Sequence, residues 1–215
     1  MTMEIKRYGE YMSESFDLDK HSLDIQLLDA SKDDDVNKVK ELLDIGADID
    51  MKDTDDTTVL IGASKYGNTE TVKVLLDEGA KIDAIDDGGM TSLSWASING
   101  YSETVGLLLY HGADIETKNK HGLTPLIHSS SQGHEGTVKM LLEYGANINV
   151  YDNNGRSCLD YPFSKKIWEK EYIQELIITG QPINIKFFDD KIGILPSLKN
   201  KYKEVIEMSE LGIFG

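Results

Sequence analysis

Four copies of one short phrase, set 33 residues apart, constrain this chain more than any other feature. Gly46-Ala47-Asp48-Ile49-Asp50 returns as Gly79-Ala80-Lys81-Ile82-Asp83, as Gly112-Ala113-Asp114-Ile115-Glu116 and as Gly145-Ala146-Asn147-Ile148-Asn149. Other columns keep the same step. They are Val39, Val72, Val105 and Val138; the pairs Leu42-Leu43, Leu75-Leu76, Leu108-Leu109 and Leu141-Leu142; and Thr58, Thr91, Thr124 and Ser157, each followed two residues later by Leu60, Leu93, Leu126 and Leu159. A fixed period of this length marks stacked supersecondary units, none of which buries its apolar face alone.

Each unit reads physically as two helices and a finger. Thr58 suits a helix N-cap, with the first helix over 59–66. Pro125 follows the cap in one repeat, where its fixed φ and missing N–H fit the first helical position. Small residues at Ala63-Ser64, Ala96-Ser97 and Ser129-Ser130 let helices approach closely. Gly67, Gly100 and Gly133 then end that helix as left-handed caps. Val72, Leu75 and Leu76 fall at i, i+3 and i+4, the narrow apolar stripe of a second helix, which Gly79 terminates. A polar stretch leads to the next threonine, with Asp87-Gly88-Gly89 and Asn153-Asn154-Gly155 as tight hairpin tips.

This pattern resembles the ankyrin repeat, with its 33-residue period and T-P-L-H-x-A signature. Thr124-Pro125-Leu126 matches three positions, while Ile127 departs from the His and Ser129 from the Ala. Thr91-Ser92-Leu93-Ser94-Trp95-Ala96 keeps Thr, Leu and Ala. Gly133-His134 and the segment 141–149 fit closely. The resemblance implies an all-α solenoid of helix-turn-helix pairs with hairpin fingers. It covers 21–184 as five repeats, about 21–52, 53–85, 86–118, 119–151 and 152–184.

The ends are degenerate. Leu27 and Ala30 stand one period before Leu60 and Ala63, and Asp33-Asp34-Asp35 replaces the glycine turn in the first repeat. In the fifth, Pro162 is expected to shorten or break the first helix. Its second helix reads Ile173, Leu176, Ile177 before Gly180. Residues 1–20 form an extension. Residues 185–215 do not repeat; a helix from Pro196 to Leu211 is expected to seal the last repeat, since terminal units need atypical caps.

Charge and composition narrow the partners. The chain carries 22 basic and 38 acidic residues, net −16. That field repels phosphate, against nucleic-acid or anionic-membrane binding. The excess lies toward the N-terminal end: Glu14 to Thr58 holds fifteen acids and five bases, while Ser164 onward balances eight against eight. No apolar run nears the roughly 20 residues of a membrane span, and Met1 to Lys20 lacks a signal-peptide core. The single cysteine, Cys158, excludes an internal disulfide. An intracellular, cytoplasmic monomer is the expectation.

Chemistry finds no foothold. The histidines lie in separate columns, and His134-Glu135 does not continue as a metalloprotease motif. The acidic run Asp48 to Asp56 places Lys52 and Asp53 where a calcium loop needs an oxygen ligand and a glycine. No phosphate-binding glycine loop occurs. Cys158 stands at a helix start, most simply as a packed thiol. No catalytic residue, metal or cofactor is expected.

What remains is surface. The family's mode of action implies protein binding through the concave face and fingers, and the matching columns can be named. The tips offer Thr54, Asp55 and Thr57; Asp87 and Met90; Lys120, His121 and Leu123. The ends of the first helices offer Lys65 and Tyr66, Ile98 and Asn99, Ser131 and Gln132. Tyr66, Met90, Ile98 and Leu123 are expected to be exposed and to form one apolar patch, whereas Trp95 is expected to pack between helices. Two alternatives stay open: an inhibitor that blocks an enzyme, and a pathogen effector or host-range adaptor. For the latter, Leu195-Pro196-Ser197-Leu198 resembles the opening of an F-box-like ubiquitin-ligase adaptor.

Overall fold

Each repeat starts its first helix on a threonine whose hydroxyl accepts a hydrogen bond from the N–H three residues on: Thr58 from Ile61, Thr91 from Ser94 and Thr124 from Ile127. The computed structural model describes residues 20–161 and Leu198. Within these, α1 takes in residues 20–32. It is followed by α2 (Val36–Asp44), α3 (Val59–Tyr66), α4 (Thr69–Asp77), α5 (Ser92–Asn99), α6 (Ser102–Tyr110), α7 (Pro125–Gln132) and α8 (Glu135–Glu143). Consecutive helices pair as α1–α2, α3–α4, α5–α6 and α7–α8.

Two rows result. The first helices stack through α3 on α5 and α5 on α7; the second helices stack through α2 on α4, α4 on α6 and α6 on α8. The first row packs more tightly, because Ala63, Ser64, Ala96, Ser97, Ser129 and Ser130 are buried there and short side chains allow close approach. Unequal spacing of two rows curves the array toward the first-helix side. Between the rows runs one apolar core holding Leu27, Leu42, Leu60, Leu75, Leu93, Leu108, Leu126 and Leu141. Burying a leucine of this kind contributes about 1.5–3 kcal/mol. Leu198 joins this core.

The helix ends are stitched between repeats. Gly67 and Gly100 sit at φ 74° and 77°, the left-handed conformation that lets the chain turn back into α4 and α6. The following residue then reaches backward. Asn68 donates to the carbonyls of Ser31 and Lys32 at 2.8 and 2.9 Å, and a ring nitrogen of His134 meets the carbonyl of Ile98 at 3.0 Å. In the first repeat Asp34 takes the left-handed place at φ 58°, and its carboxylate accepts from the Thr71 hydroxyl.

The fingers are tight turns joined by single bridges, Lys52 with Thr58 and Tyr151 with Ser157. The fifth unit repeats the finger, but residues 158–161 form a turn where α3, α5 and α7 are already helical. Asp160 accepts there from both the N–H and the hydroxyl of Ser157. The fifth unit's second helix, the expected helix from Pro196 to Leu211 apart from Leu198, and the extension before residue 20 lie outside the described residues.

Candidate interaction surface

The fingers are built on one acceptor per repeat. Asp53 accepts from the N–H groups of Asp55 and Thr57. Asp86 does the same for Gly88 and Met90, Asn119 for His121 and Leu123, and Asp152 for Asn154 and Arg156. Short Asx side chains close such turns because they reach the backbone two residues on. Adjacent tips then bond to one another: Asp87 N–H to Asp55 carbonyl at 3.0 Å, Lys120 N–H to Gly88 carbonyl at 3.1 Å, Asn153 N–H to His121 carbonyl at 3.0 Å. The tips are therefore one connected edge rather than independent loops.

In three of the four fingers the second atom of the acceptor bonds a ring nine residues on, on the first helix in two of them and in the 158–161 turn in the last. Asp86 Oδ2 accepts from the indole N–H of Trp95 at 2.8 Å. Asn119 Nδ2 meets His128 Nε2 at 3.2 Å. Asp152 Oδ2 accepts from the Tyr161 hydroxyl at 2.9 Å and from the Arg156 guanidinium. Protonation states follow from these contacts. Burial of His128, and secondarily the charge of His121, pushes its pKa down to about 4. Burial alone would raise Asp152, but bonds from the Arg156 and Asn154 N–H groups, the Tyr161 hydroxyl and the Arg156 side chain bring it down to about 2. Tyr161 is pushed up to about 12 by burial and by its bond to that carboxylate.

The residues expected to meet a partner divide. Thr54, Asp55, Asp87, Lys120 and His121 are exposed along the tips, and Lys65, Tyr66, Asn99 and Gln132 are exposed at the ends of the first helices. Tyr66 is 54% exposed. Thr57 and Ser131 are half-buried, the latter with its hydroxyl donating back to the His128 carbonyl. The four-residue apolar patch does not form as expected. Met90 is buried, 7% exposed, with the Asn119 amide donating to its sulfur at 3.4 Å. The Asp86 turn points it inward and the next finger covers it. Ile98 and Leu123 are half-buried, Leu123 against the core. Of the four, only Tyr66 is freely exposed.

Trp95 has a partner that sequence reasoning did not foresee, the Asp86 carboxylate. It is half-buried at the foot of the second finger, and Lys65 Nζ of α3 lies 4.2 Å from its ring centroid. The repeats did carry a signal for this. Asp86 and Trp95, Asn119 and His128, and Asp152 and Tyr161 occupy the same two columns, and each pair matches a short polar acceptor with a ring. Cys158 is buried, and its thiol faces the Ile148 carbonyl. The acidic run from Asp48 is occupied in its own turns, Asp48 accepting from the Asp50 N–H and Asp53 closing its finger.

Among the described residues no group of three or more His, Cys, Asp or Glu could hold a metal ion, and no helix is long and apolar enough to cross a membrane. Two protein-family models match the chain. One, described as ankyrin repeats in three copies, covers residues 27–119; the other, ankyrin repeats in many copies, covers residues 108–161. No curated protein gives a significant match.

Proposed function

Because this chain belongs to the ankyrin-repeat family, whose members are generally protein–protein interaction modules, we propose that it captures a protein partner on the first-helix side and along its finger edge, without catalysis and as a monomer. The observation that carries this reading is the finger edge itself. Backbone bonds between successive tips hold Thr54, Asp55, Asp87, Lys120 and His121 in fixed register. A surface ordered before contact loses little conformational entropy on binding, which raises affinity for a given area. The chemistry it displays changes along its length, from carboxylates on the first two fingers to Lys120 and His121 on the third. Such polarity fixes orientation and rejects mismatched partners. Lys65, Tyr66, Asn99 and Gln132 extend the same surface onto the first-helix row.

A photo-crosslinking side chain placed at Lys65 or Lys120 tests this against the same group at Lys40 or Lys73, exposed on α2 and α4 of the outer row. In extract from the producing cell, the first two positions should form discrete adducts and the second two should not. Equal labelling from both rows, or none from either, would sink the reading. The identity of the adduct then separates a plain scaffold from an enzyme inhibitor or an adaptor.

A further inference from the structure

We infer that the exposed face of Trp95 is a seat for an arginine side chain of the partner, and that Lys65 occupies this seat in the free protein. This rests on the interaction reading above and names the chemistry of its centre.

The ring is held for the purpose. Asp86, 8% exposed, spends one oxygen on its own finger turn and the other on the indole N–H at 2.8 Å. The indole N–H is thereby anchored, and the ring, half-buried, meets Lys65 of α3 on one face. Lys65 Nζ lies 4.2 Å from the ring centroid, inside the roughly 6 Å range over which a cation is attracted to an aromatic face. Among the described residues the ring, not a carboxylate, is the partner of this ammonium. The side chain is long, exposed and rotamer-rich, so an incoming group can displace it.

The same columns show what fits better. Two repeats later in the array, Tyr161 stands where Trp95 stands and Asp152 where Asp86 stands. Tyr161 donates to Asp152 Oδ2 as Trp95 donates to Asp86 Oδ2. There an arginine completes the set: the Arg156 guanidinium carbon lies 4.8 Å from the Tyr161 ring centroid, and its nitrogens bond Asp152 at 2.9 and 3.0 Å. At the Trp95 position the residue corresponding to Arg156 is Met90, which is buried. The Trp95 unit therefore has the ring and the acid of the Tyr161 unit but lacks the arginine. A planar guanidinium stacks on the ring and forks onto carboxylates better than an ammonium does. The surroundings favour a cation too, with Asp87 exposed on the same finger and Asp55 on the one before. Tryptophan and arginine are both among the side chains enriched in interface hot spots.

The test uses the full chain labelled with nitrogen-15 and the indole N–H cross-peak of Trp95, one of two tryptophans in the sequence and identified by its loss in Trp95→Phe. The probes are N-acetylarginine methylamide and its neutral citrulline counterpart. The arginine probe should move the Trp95 peak saturably while the citrulline probe leaves it in place. Removing the resident cation should help: Lys65→Ala and Lys65→Gln should each bind the arginine probe about two- to fivefold more tightly, the value of an exposed cation–ring contact. A peak that stays fixed in both variants, or that moves equally with citrulline, overturns the arginine seat. If crosslinks still form from Lys65 and Lys120 in that event, only the arginine assignment falls; if they fail as well, the interaction reading falls with it.

Discussion

Replacing Gly100 by alanine tests how the repeats are locked together, and the expected cost divides into two parts. The backbone part comes from φ 77°, which in an L-residue brings Cβ against the following carbonyl at about 1–2 kcal/mol. The contact part comes from the next repeat. A Cβ on Gly100 would stand 2.6 Å from Nδ1 and 2.7 Å from Cγ of His134, well inside van der Waals contact. The ring cannot simply swing aside, because its other nitrogen is bonded to the Ile98 carbonyl at 3.0 Å. Moving it gives up a bond worth about 1 kcal/mol and leaves the half-buried Ile98 carbonyl poorly satisfied. Gly100→Ala should therefore cost about 2–4 kcal/mol in all. Gly112 supplies the internal control. It has φ 89° and nothing within 4 Å of its would-be Cβ, so Gly112→Ala should show the backbone part alone. Urea unfolding followed by far-ultraviolet circular dichroism measures both. His134→Ala should recover part of the Gly100→Ala loss, which a double-mutant cycle reads directly. If Gly100→Ala and Gly112→Ala cost the same, the His134 ring does not close on that glycine and the inter-repeat lock is wrongly assigned. Gly100 also ends α5, the helix that displays Trp95 and Asn99, so the same change should disturb the proposed arginine seat.

Two further changes probe other links. His128 has a folded pKa near 4 against an ordinary 6.5, so its neutral form stabilises the fold in full above about pH 6.5, and that contribution is lost as pH falls from 6.5 toward 4, by about 3 kcal/mol; His128→Gln should flatten the stability profile over that window, and an unchanged slope in urea titrations at several pH values would refute the assignment. Asp56 holds φ 59° in the column where the later fingers have Gly89, Gly122 and Gly155, and its ion pair with Lys52 is exposed, so Asp56→Gly should raise stability by about 0.5–1 kcal/mol; a lower thermal midpoint would show that the side chain matters more than the backbone.

What could be read from the sequence was whatever depends on spacing within one repeat. Thr58, Thr91 and Thr124 cap because the N–H they accept lies three residues on, and Gly67, Gly100 and Gly133 end the same helices one position past the last turn. The leucine and valine columns went to the core for the same reason. The misreadings share a different cause, since each was decided by a partner in another segment. Met90 looked exposed because its own finger is polar, yet Asn119, 29 residues away, covers it. Trp95 was expected to pack between helices from its column on the first helix, and its bond to Asp86 in the preceding finger could not be read from that column alone. Asp34 stands in the glycine column already marked as the first repeat's turn, which fits its left-handed backbone; Asp56 carries the same signal in the column of Gly89, Gly122 and Gly155, and that comparison was not drawn from the sequence.

The acidic composition takes on a different meaning once the bonds are placed. One set of acids closes fingers, Asp53, Asp86 and Asp152. A second set links repeats through backbone N–H groups: Asp24 accepts from Asp48 at 2.7 Å, Asp50 from Lys81 at 2.9 Å, Asp83 from Asp114 at 3.0 Å and Glu116 from Asn147 at 2.7 Å. Burial raises the pKa of Glu116 even as the Asn147 N–H holds it down, so this link is made by a carboxylate partly withdrawn from water. Part of the negative charge, these seven of 38 acids, therefore serves as acceptors in the fingers and at the junctions whether or not a partner exists. That separates field from contact. The field of all the carboxylates acts over a Debye length of about 8 Å in physiological salt and speeds the arrival of a basic partner. The scaffold carboxylates, committed to backbone N–H groups, have little capacity left for direct bonds to that partner. On the proposed reading, contact falls to the side chains the scaffold leaves exposed, Asp55, Asp87, Lys120, His121 and Tyr66, and to the Trp95 ring, which Asp86 orients and Lys65 lies against.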